Sequence, residues 1–138
     1  MLTTKLLHPE ILEALAGSGH GGGVLIADGN YPFSTRAFPA AKRVYLNFTP
    51  GKLNVIDVLD VIKGAIPVEA AHVMATNTGD EAPIVAEFRA LLPDVPFEKH
   101  DRFAFYDLAR GNDTCLVIAT GEQRVYANIY LVIGVVKA

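Results

Sequence analysis

A histidine and an aspartate flank a short apolar segment near the start of the sequence. His20 lies within a cluster of glycines, and Asp28 follows eight residues later, after the apolar residues 24–27. Histidine changes its charge near neutral pH and therefore serves as a proton donor and acceptor. An aspartate close to it would orient or polarise the imidazole. The two residues are candidates for acid/base chemistry, and the alternative is a glycine-rich helix end with an incidental surface histidine.

The glycine cluster also matches two other chemical motifs in part. Gly17, Gly19 and Gly22 fit the pattern G-x-G-x-x-G. A dinucleotide site needs a strand before these glycines and a helix after them, whereas here a helix precedes and a strand follows. The HGGG that begins at His20 resembles an esterase oxyanion loop, but the sequence has no G-x-S-x-G nucleophile. Ester hydrolysis is excluded, and a nucleotide-binding module is only a weak alternative.

A second group of polar residues lies in the last third of the sequence. Tyr126 and Asn128 alternate with Ala127, so in an extended segment their side chains point the same way. A phenol and a carboxamide can donate to and accept from several hydroxyl groups, and Arg102 adds a rigid cationic fork. The alternative for Arg102 is a solvated residue at a helix start. No set of His, Cys and carboxylate residues has the spacing of a zinc site, so we expect no metal.

The elements that must position these residues alternate between helix and strand. The patterns predict helices over residues 9–16, 55–63, 80–92 and 102–109, and strands over 24–27, 43–47, 71–75, 97–99, 116–119 and 128–136. This alternation predicts a single domain over residues 1–138, an α/β fold with three α/β/α layers around a central, mostly parallel sheet. Asp28 then lies at a strand end, where open α/β sheets bind ligands.

Composition limits the class of protein. The net charge is −3 and the basic residues are scattered, which argues against a nucleic-acid surface. A single cysteine, no signal-peptide pattern and no apolar segment of membrane-spanning length predict a cytoplasmic protein without a membrane partner. The hydrophobic share of 51% is high for so short a chain. Residues 126–136 are almost entirely apolar, and we expect part of them to be buried against another copy in a closed homo-oligomer.

Three blocks of this sequence together resemble the fucose mutarotase / ribose pyranase family. The blocks are GHGGGVLIADGNYP, DRFAFY and GEQRVYANIYLVIGVV, and the resemblance extends in order over essentially the whole chain. By position, His20 resembles the acid/base histidine of the family and Asp28 resembles its acidic partner. Arg102, Tyr126 and Asn128 resemble its sugar-binding residues.

One position distinguishes the two branches of that family. Tyr106 lies where the ribose branch has a second histidine, and the RFAFY block is similar to the fucose mutarotase branch. The resemblance therefore implies that Tyr106 is also a substrate-binding residue and that the chain is closer to the fucose mutarotases.

The resemblance implies an isomerase that needs neither cofactor nor metal and interconverts the anomers of a free monosaccharide, with L-fucose as the expected sugar. The alternatives are a D-ribose pyranase and a non-catalytic monosaccharide-binding module associated with sugar uptake. It also implies a decamer built from two stacked pentameric rings.

Overall fold

The computed structural model describes residues 1–138 and contains six strands and four helices. The strands are β1 (Gly23–Ala27), β2 (Lys42–Tyr45), β3 (Val68–Met74), β4 (Phe97–His100), β5 (Thr114–Ala119) and β6 (Ile129–Ile133). The helices are α1 (Pro9–Ala16), α2 (Val55–Ile62), α3 (Val85–Leu91) and α4 (Arg102–Arg110). No helix is long and apolar enough to cross a membrane.

All six strands belong to one sheet with the order β2-β5-β1-β6-β3-β4. The pairs β1/β5, β2/β5 and β3/β4 are parallel, whereas β6 is antiparallel to both β1 and β3. Five strands therefore point the same way and one points the opposite way. This confirms the predicted mostly parallel sheet.

Helices cover both faces of the sheet, as predicted. On one face, α1, α2 and α3 contribute Ile11, Leu59 and Phe88 to the larger part of the core. On the other face, the smaller part of the core contains Phe105 of α4 together with buried residues of the segment 31–41. The chain thus forms the expected three-layer α/β/α arrangement.

Local sequence explains where the helices begin. Pro9 is the first residue of α1. Proline suits this position because a backbone N–H in the first turn has no acceptor within the helix. The Asp57 carboxylate accepts a hydrogen bond from the backbone N–H of Asn54, the residue before α2, at 2.9 Å. Asp101 caps α4 by accepting from the backbone N–H groups of Phe103 and Ala104.

The predicted helix over residues 80–92 begins too early, because the structure places its start at Val85. The backbone N–H of Thr76 donates to the carbonyl of Asp80, and Glu81 forms an isolated antiparallel bridge with Ala75. These bonds hold residues 76–81 in a turn, so the charged residues at the start of the predicted helix belong to that turn.

The last strand also differs from the expectation. β6 ends at Ile133 rather than at residue 136, because the N–H of Gly134 donates to the carbonyl of Pro67 outside the sheet ladder. β6 occupies the middle of the sheet, where β1 and β3 cover both of its edges. β6 itself therefore has no free edge for another copy to cover, which contradicts the expected reason for burying part of residues 126–136 in an oligomer.

Candidate active site

Two of the predicted site residues meet because β6 runs antiparallel to β1. Asp28 follows the last residue of β1, and Asn128 precedes the first residue of β6. Both therefore lie at the end of the sheet where the parallel strands finish. A pocket of about 320 Å³ opens at this end. Its lining brings together five of the six predicted site residues with four others: Asp28, Asn30, Tyr31, Met74, Arg102, Tyr106, Val125, Tyr126 and Asn128.

The Asp28 carboxylate is the most buried charged group at this pocket, with 3% of the residue exposed. Its Oδ1 accepts from the backbone N–H of Asn30 at 2.9 Å, and its Oδ2 accepts from the backbone N–H of Ala127 at 3.2 Å and from Asn128 Nδ2 at 3.1 Å. Burial raises the pKa of Asp28, although these hydrogen bonds oppose the increase. Asp28 also lines the pocket, so its carboxyl group borders the space that a ligand would occupy. Asp28 is thus suited to exchange a proton with a bound hydroxyl group.

The Asn128 amide binds Asp28 twice. Its Oδ1 accepts from the backbone N–H of Asp28 at 2.9 Å, and its Nδ2 donates to the Asp28 carboxylate. The same Nδ2 lies 4.0 Å from the Met74 sulfur. The family resemblance predicts that Asn128 binds the sugar, and Asn128 does line the pocket. Its hydrogen bonds within the chain are to Asp28 and orient that acidic group.

The loop between β5 and β6 supplies Tyr126 in an uncommon backbone conformation. Its φ of +59° lies in the left-handed region, which non-glycine residues seldom adopt. Such conformations concentrate at functional sites, where the surrounding structure holds them. Here the next residue, Ala127, is held by its bond to the Asp28 carboxylate. The strained backbone therefore directs Tyr126 to the pocket beside Asp28.

An ion-pair network anchors the same loop. The Glu122 carboxylate, in a residue that is 4% exposed, accepts from the backbone N–H, Nε and Nη2 of Arg124 at 2.9–3.0 Å. Arg124 Nη1 also donates to Glu87 of α3 at 2.5 Å. Burial alone would raise the pKa of Glu122, but the bonds from Arg124 outweigh this and lower it. The loop is thereby tied to α3 within a few residues of Tyr126.

The first turns of α4 supply Arg102 and Tyr106. The Arg102 guanidinium lies 4.6 Å from the centre of the Phe103 ring and has no acidic partner, so its N–H groups can reach a ligand. The Tyr106 ring packs edge-on against Tyr31 at 5.4 Å, and the Arg36 guanidinium lies 5.8 Å from its centre. These contacts hold the tyrosine at the wall of the pocket.

His20 is the one predicted site residue that lies elsewhere. It precedes β1, at the end of the sheet where the parallel strands begin. The five residues of β1 span roughly 17 Å and separate His20 from Asp28. Its Nε2 lies 2.8 Å from Glu69 Oε2 near the start of β3. The next residue, Gly21, adopts a φ of +84° and donates its N–H to Ile133 at the end of β6. Within one chain, the structure does not bring His20 to Asp28.

Sequence reasoning missed Asn30, Tyr31, Met74 and Val125 as pocket residues. Met74 is the last residue of β3. Since β3 points the same way as β1, its last residue lies at the same end of the sheet as Asp28. Asn30 and Tyr31 lie two and three residues after Asp28, and this closeness to the end of β1 is the signal that indicates them. Val125 precedes Tyr126 but carries no group that indicates chemistry.

Comparison with known proteins identifies the chain's family. The model of the RbsD / FucU transport protein family matches residues 1–136. A D-ribose pyranase of Chloroflexus aggregans is 34% identical over 99% of both chains. A fucose mutarotase of Mus musculus is 31% identical over 92% of this chain and 88% of its own. The structure of Bacillus subtilis RbsD complexed with D-ribose superposes with a TM-score of 0.87 and 25% identity, over 99% of this chain and 100% of that one. Relatives with both names are similarly close, and the chain belongs to the RbsD / FucU family.

Proposed function

We propose that this protein is a sugar mutarotase that interconverts the anomers of a free monosaccharide by acid/base ring opening, without a cofactor. The observation that carries the proposal is the position of Asp28. A buried carboxyl group with a raised pKa lines the same pocket as Arg102, Tyr106 and Tyr126. Groups that bind several hydroxyls thus surround a group that exchanges protons.

The reaction needs only proton transfers. One proton leaves the anomeric hydroxyl and another is placed on the ring oxygen, so the bond between C1 and the ring oxygen breaks and C1 becomes an aldehyde. Rotation about the bond between C1 and C2 exposes the other face of the aldehyde, and reclosure with the reverse proton transfers gives the other anomer. Nothing is oxidised or reduced. Asp28 acts on one of the two oxygens, and Tyr126 and Arg102 hold neighbouring hydroxyls.

The pocket has the size and lining that a monosaccharide requires. Its volume of about 320 Å³ lies at the lower end of the range for small-ligand sites. Met74 and Val125 form apolar surface beside the polar groups. L-fucose carries a methyl group at C5 that such surface would accommodate, whereas D-ribose has none. Together with the RFAFY block, this supports L-fucose as the substrate.

We assign the second acid/base role to His20 of another copy of the chain. His20 precedes β1 and Asp28 follows it, so the two residues lie at opposite ends of the strands. A head-to-tail contact would bring His20 of one copy to the Asp28 pocket of the next. Contacts of this kind close into rings when the rotation between copies is suitable. Phe103 and Val125 flank the pocket with large exposed apolar side chains, as expected for a surface that another copy covers.

Saturation-transfer NMR on L-fucose and on D-ribose tests the proposal, because it measures anomer exchange directly. We expect the protein to accelerate the exchange of L-fucose. We expect Asp28→Asn to reduce that acceleration by at least about 100-fold, the contribution of a positioned acid/base group. Asp94→Asn, a matched change at an exposed site, should leave the rate unchanged.

Three other results would each contradict one part of the proposal: the activity, the sugar or the role of Asp28. A protein that binds L-fucose in a titration but accelerates the exchange of neither sugar is a non-catalytic binding module, and the proposed activity is then wrong. Acceleration with D-ribose alone overturns the choice of sugar. An Asp28→Asn variant with the wild-type rate overturns the role of the carboxyl group.

A further inference from the structure

Two histidines and a glutamate lie together on β3 and β4, outside the sugar pocket. β3 and β4 are parallel, and their register pairs His72 with Glu98 and Met74 with His100. Glu98 and His100 are two residues apart, so their side chains emerge on the same face of the sheet. His72 lies directly opposite Glu98 and shares that face. The pairing thus joins residues that are far apart in sequence.

The metal-binding atoms of the three side chains all lie within 4.8 Å of one another. His72 Nδ1 lies 2.9 Å from His100 Nε2 and 3.6 Å from Glu98 Oε2, and His100 Nε2 lies 3.8 Å from Glu98 Oε1. Zinc bonds to nitrogen and oxygen of 2.0–2.2 Å in a tetrahedral site require ligand atoms roughly 3.3 Å apart. In this structure His72 Nδ1 and His100 Nε2 are hydrogen-bonded to each other, so an ion would replace that bond and the two nitrogens would move apart by a few tenths of an ångström.

The sequence spacing predicts no metal site, but strand pairing brings these three side chains together. We propose that His72, Glu98 and His100 bind a Zn²⁺ ion, with water in the fourth position. Imidazole nitrogens favour zinc and similar transition metals over magnesium and calcium, which prefer oxygen ligands. The site is open to an incoming ion, because 67% of the Glu98 side chain is exposed and the two imidazoles retain 15% and 19% exposure. Two histidines and one carboxylate are a ligand set that zinc uses when one position is left for water.

The proposed ion would connect an edge strand to the sheet. β4 is the last strand on its side, so its free edge has no neighbour. Zinc held by His72 of β3 and by two residues of β4 would add a cross-link between these strands beyond their backbone hydrogen bonds. The residue after His100 is Asp101, which caps α4. The ion would therefore also fix the point at which the chain leaves the sheet.

Calorimetric titration of the EDTA-treated full chain with Zn²⁺, followed by thermal unfolding, tests the site. We expect one ion per chain and an increase in Tm of at least about 5 °C at saturating zinc, because the ion binds only the folded pairing of β3 with β4. Mg²⁺ at the same concentration should not change the Tm. Co²⁺ should give the visible absorption of a tetrahedral site.

Substitutions locate the ligands. His72→Gln and Glu98→Gln should each weaken zinc binding by at least about 10-fold, since loss of a direct ligand costs no less than loss of its supporting partner. The matched controls are His20→Gln and Glu69→Gln, which alter the other histidine–carboxylate pair. Both should retain the wild-type affinity for zinc. Glu98 is exposed, so its variant remains informative if the His72 variant fails to fold. Absence of zinc binding to the wild type, or wild-type affinity in the Glu98 variant, would overturn the proposal.

Discussion

Asp28 and Asn128 form one unit, in which each residue provides hydrogen-bond partners for the other. The Asn128 amide accepts from the Asp28 backbone and donates to the Asp28 carboxylate. Asn128→Ala would leave a buried N–H without an acceptor and the carboxylate with one donor fewer. We expect this variant to lose about 1–3 kcal/mol of unfolding free energy, measured by urea denaturation.

The same substitution should change the titration of Asp28. A hydrogen bond to the carboxylate favours its charged form, so loss of the Asn128 donor should raise the pKa of Asp28 further, which carboxyl NMR can measure. Asn30→Ala is the control, because Asn30 donates from its backbone and the substitution preserves that bond. An unchanged Asp28 pKa in Asn128→Ala would contradict the orienting role of the amide.

Sequence was informative about residues that carry chemistry and weak about their partners. Asp28, Arg102, Tyr106 and Tyr126 converge on the pocket as expected. The main contact of Asn128 with Asp28 joins residues 100 positions apart, and no local pattern reports such a pair. His72 and His100 are likewise 28 positions apart, and only the pairing of β3 with β4 places them side by side.

Among the elements, the loop between β5 and β6 depends most on a single side chain. Arg124 is the cation for the buried Glu122 carboxylate and also binds Glu87 of α3. Arg124→Met would leave Glu122 buried without a cation. We expect a loss of about 1–3 kcal/mol at pH 7 and slower anomer exchange, because this loop holds Tyr126.

The loss in Arg124→Met should depend on pH. The pKa of Glu122 in the folded protein lies below its ordinary value of 4.5, so the pairing contributes stability above that pH and loses it as the pH falls. The difference in unfolding free energy between the wild type and Arg124→Met should therefore stay nearly constant from pH 7 to about pH 4.5 and shrink as the pH falls below that value. Glu87→Gln removes only the exposed pair and should cost less than about 1 kcal/mol. Equal losses in the two variants would contradict this account.

The pairing of β1 with β6 requires a glycine at position 23. A Cβ at Gly23 would lie 1.7 Å from the Tyr130 hydroxyl oxygen and 2.1 Å from the ring carbon that bears it. Gly23→Ala should cost at least about 2 kcal/mol in urea denaturation, because the buried ring cannot move without disturbing the core.

A double-mutant cycle separates this clash from other effects of the substitution. In a Tyr130→Ala background, Gly23→Ala should cost at least about 1 kcal/mol less than in the wild type, because the clashing ring is gone. Gly19→Ala is the control, since a Cβ there meets nothing within 4 Å. Equal costs in the two backgrounds would contradict a clash with the ring.

Periodicity predicted the elements better than their arrangement. The sequence patterns identified all six strands, and the helices predicted to begin at residues 9 and 102 begin there in the structure. The apolar pattern of β6 is the same whether the strand is central or peripheral, so its position and antiparallel direction could not be inferred. The early start assigned to α3 followed from charged residues that favour a first helical turn, whereas the bridge between Ala75 and Glu81 held them in a loop.

At the scale of the whole molecule, a site shared by two copies makes a specific prediction about mixed assemblies. His20→Ala and Asp28→Asn variants should each be inactive alone. When the two are unfolded together and refolded as a mixture, some sites combine the intact His20 of one variant with the intact Asp28 of the other. Random mixing of equal amounts in a head-to-tail ring should restore about a quarter of the wild-type exchange rate.

The control is a mixture of the same two proteins refolded separately and combined under conditions that prevent subunit exchange. It should remain inactive. Light scattering should show that the active species is an assembly larger than a dimer, with a decamer expected from the family resemblance. No recovery in the co-refolded mixture, or full activity of a monomer, would contradict the shared site.

The central position of β6 has a consequence for the order in which the chain can fold during synthesis. β1, β2 and β5 form one parallel group, β3 and β4 form another, and only β6 pairs with both groups. Because β6 is the last of the ten elements in the chain, the ribosome must synthesise residues 129–133 before the two groups can join. Until then, the facing edges of β1 and β3 have no partner strand. Nascent chains should therefore acquire protease resistance in one late step rather than element by element.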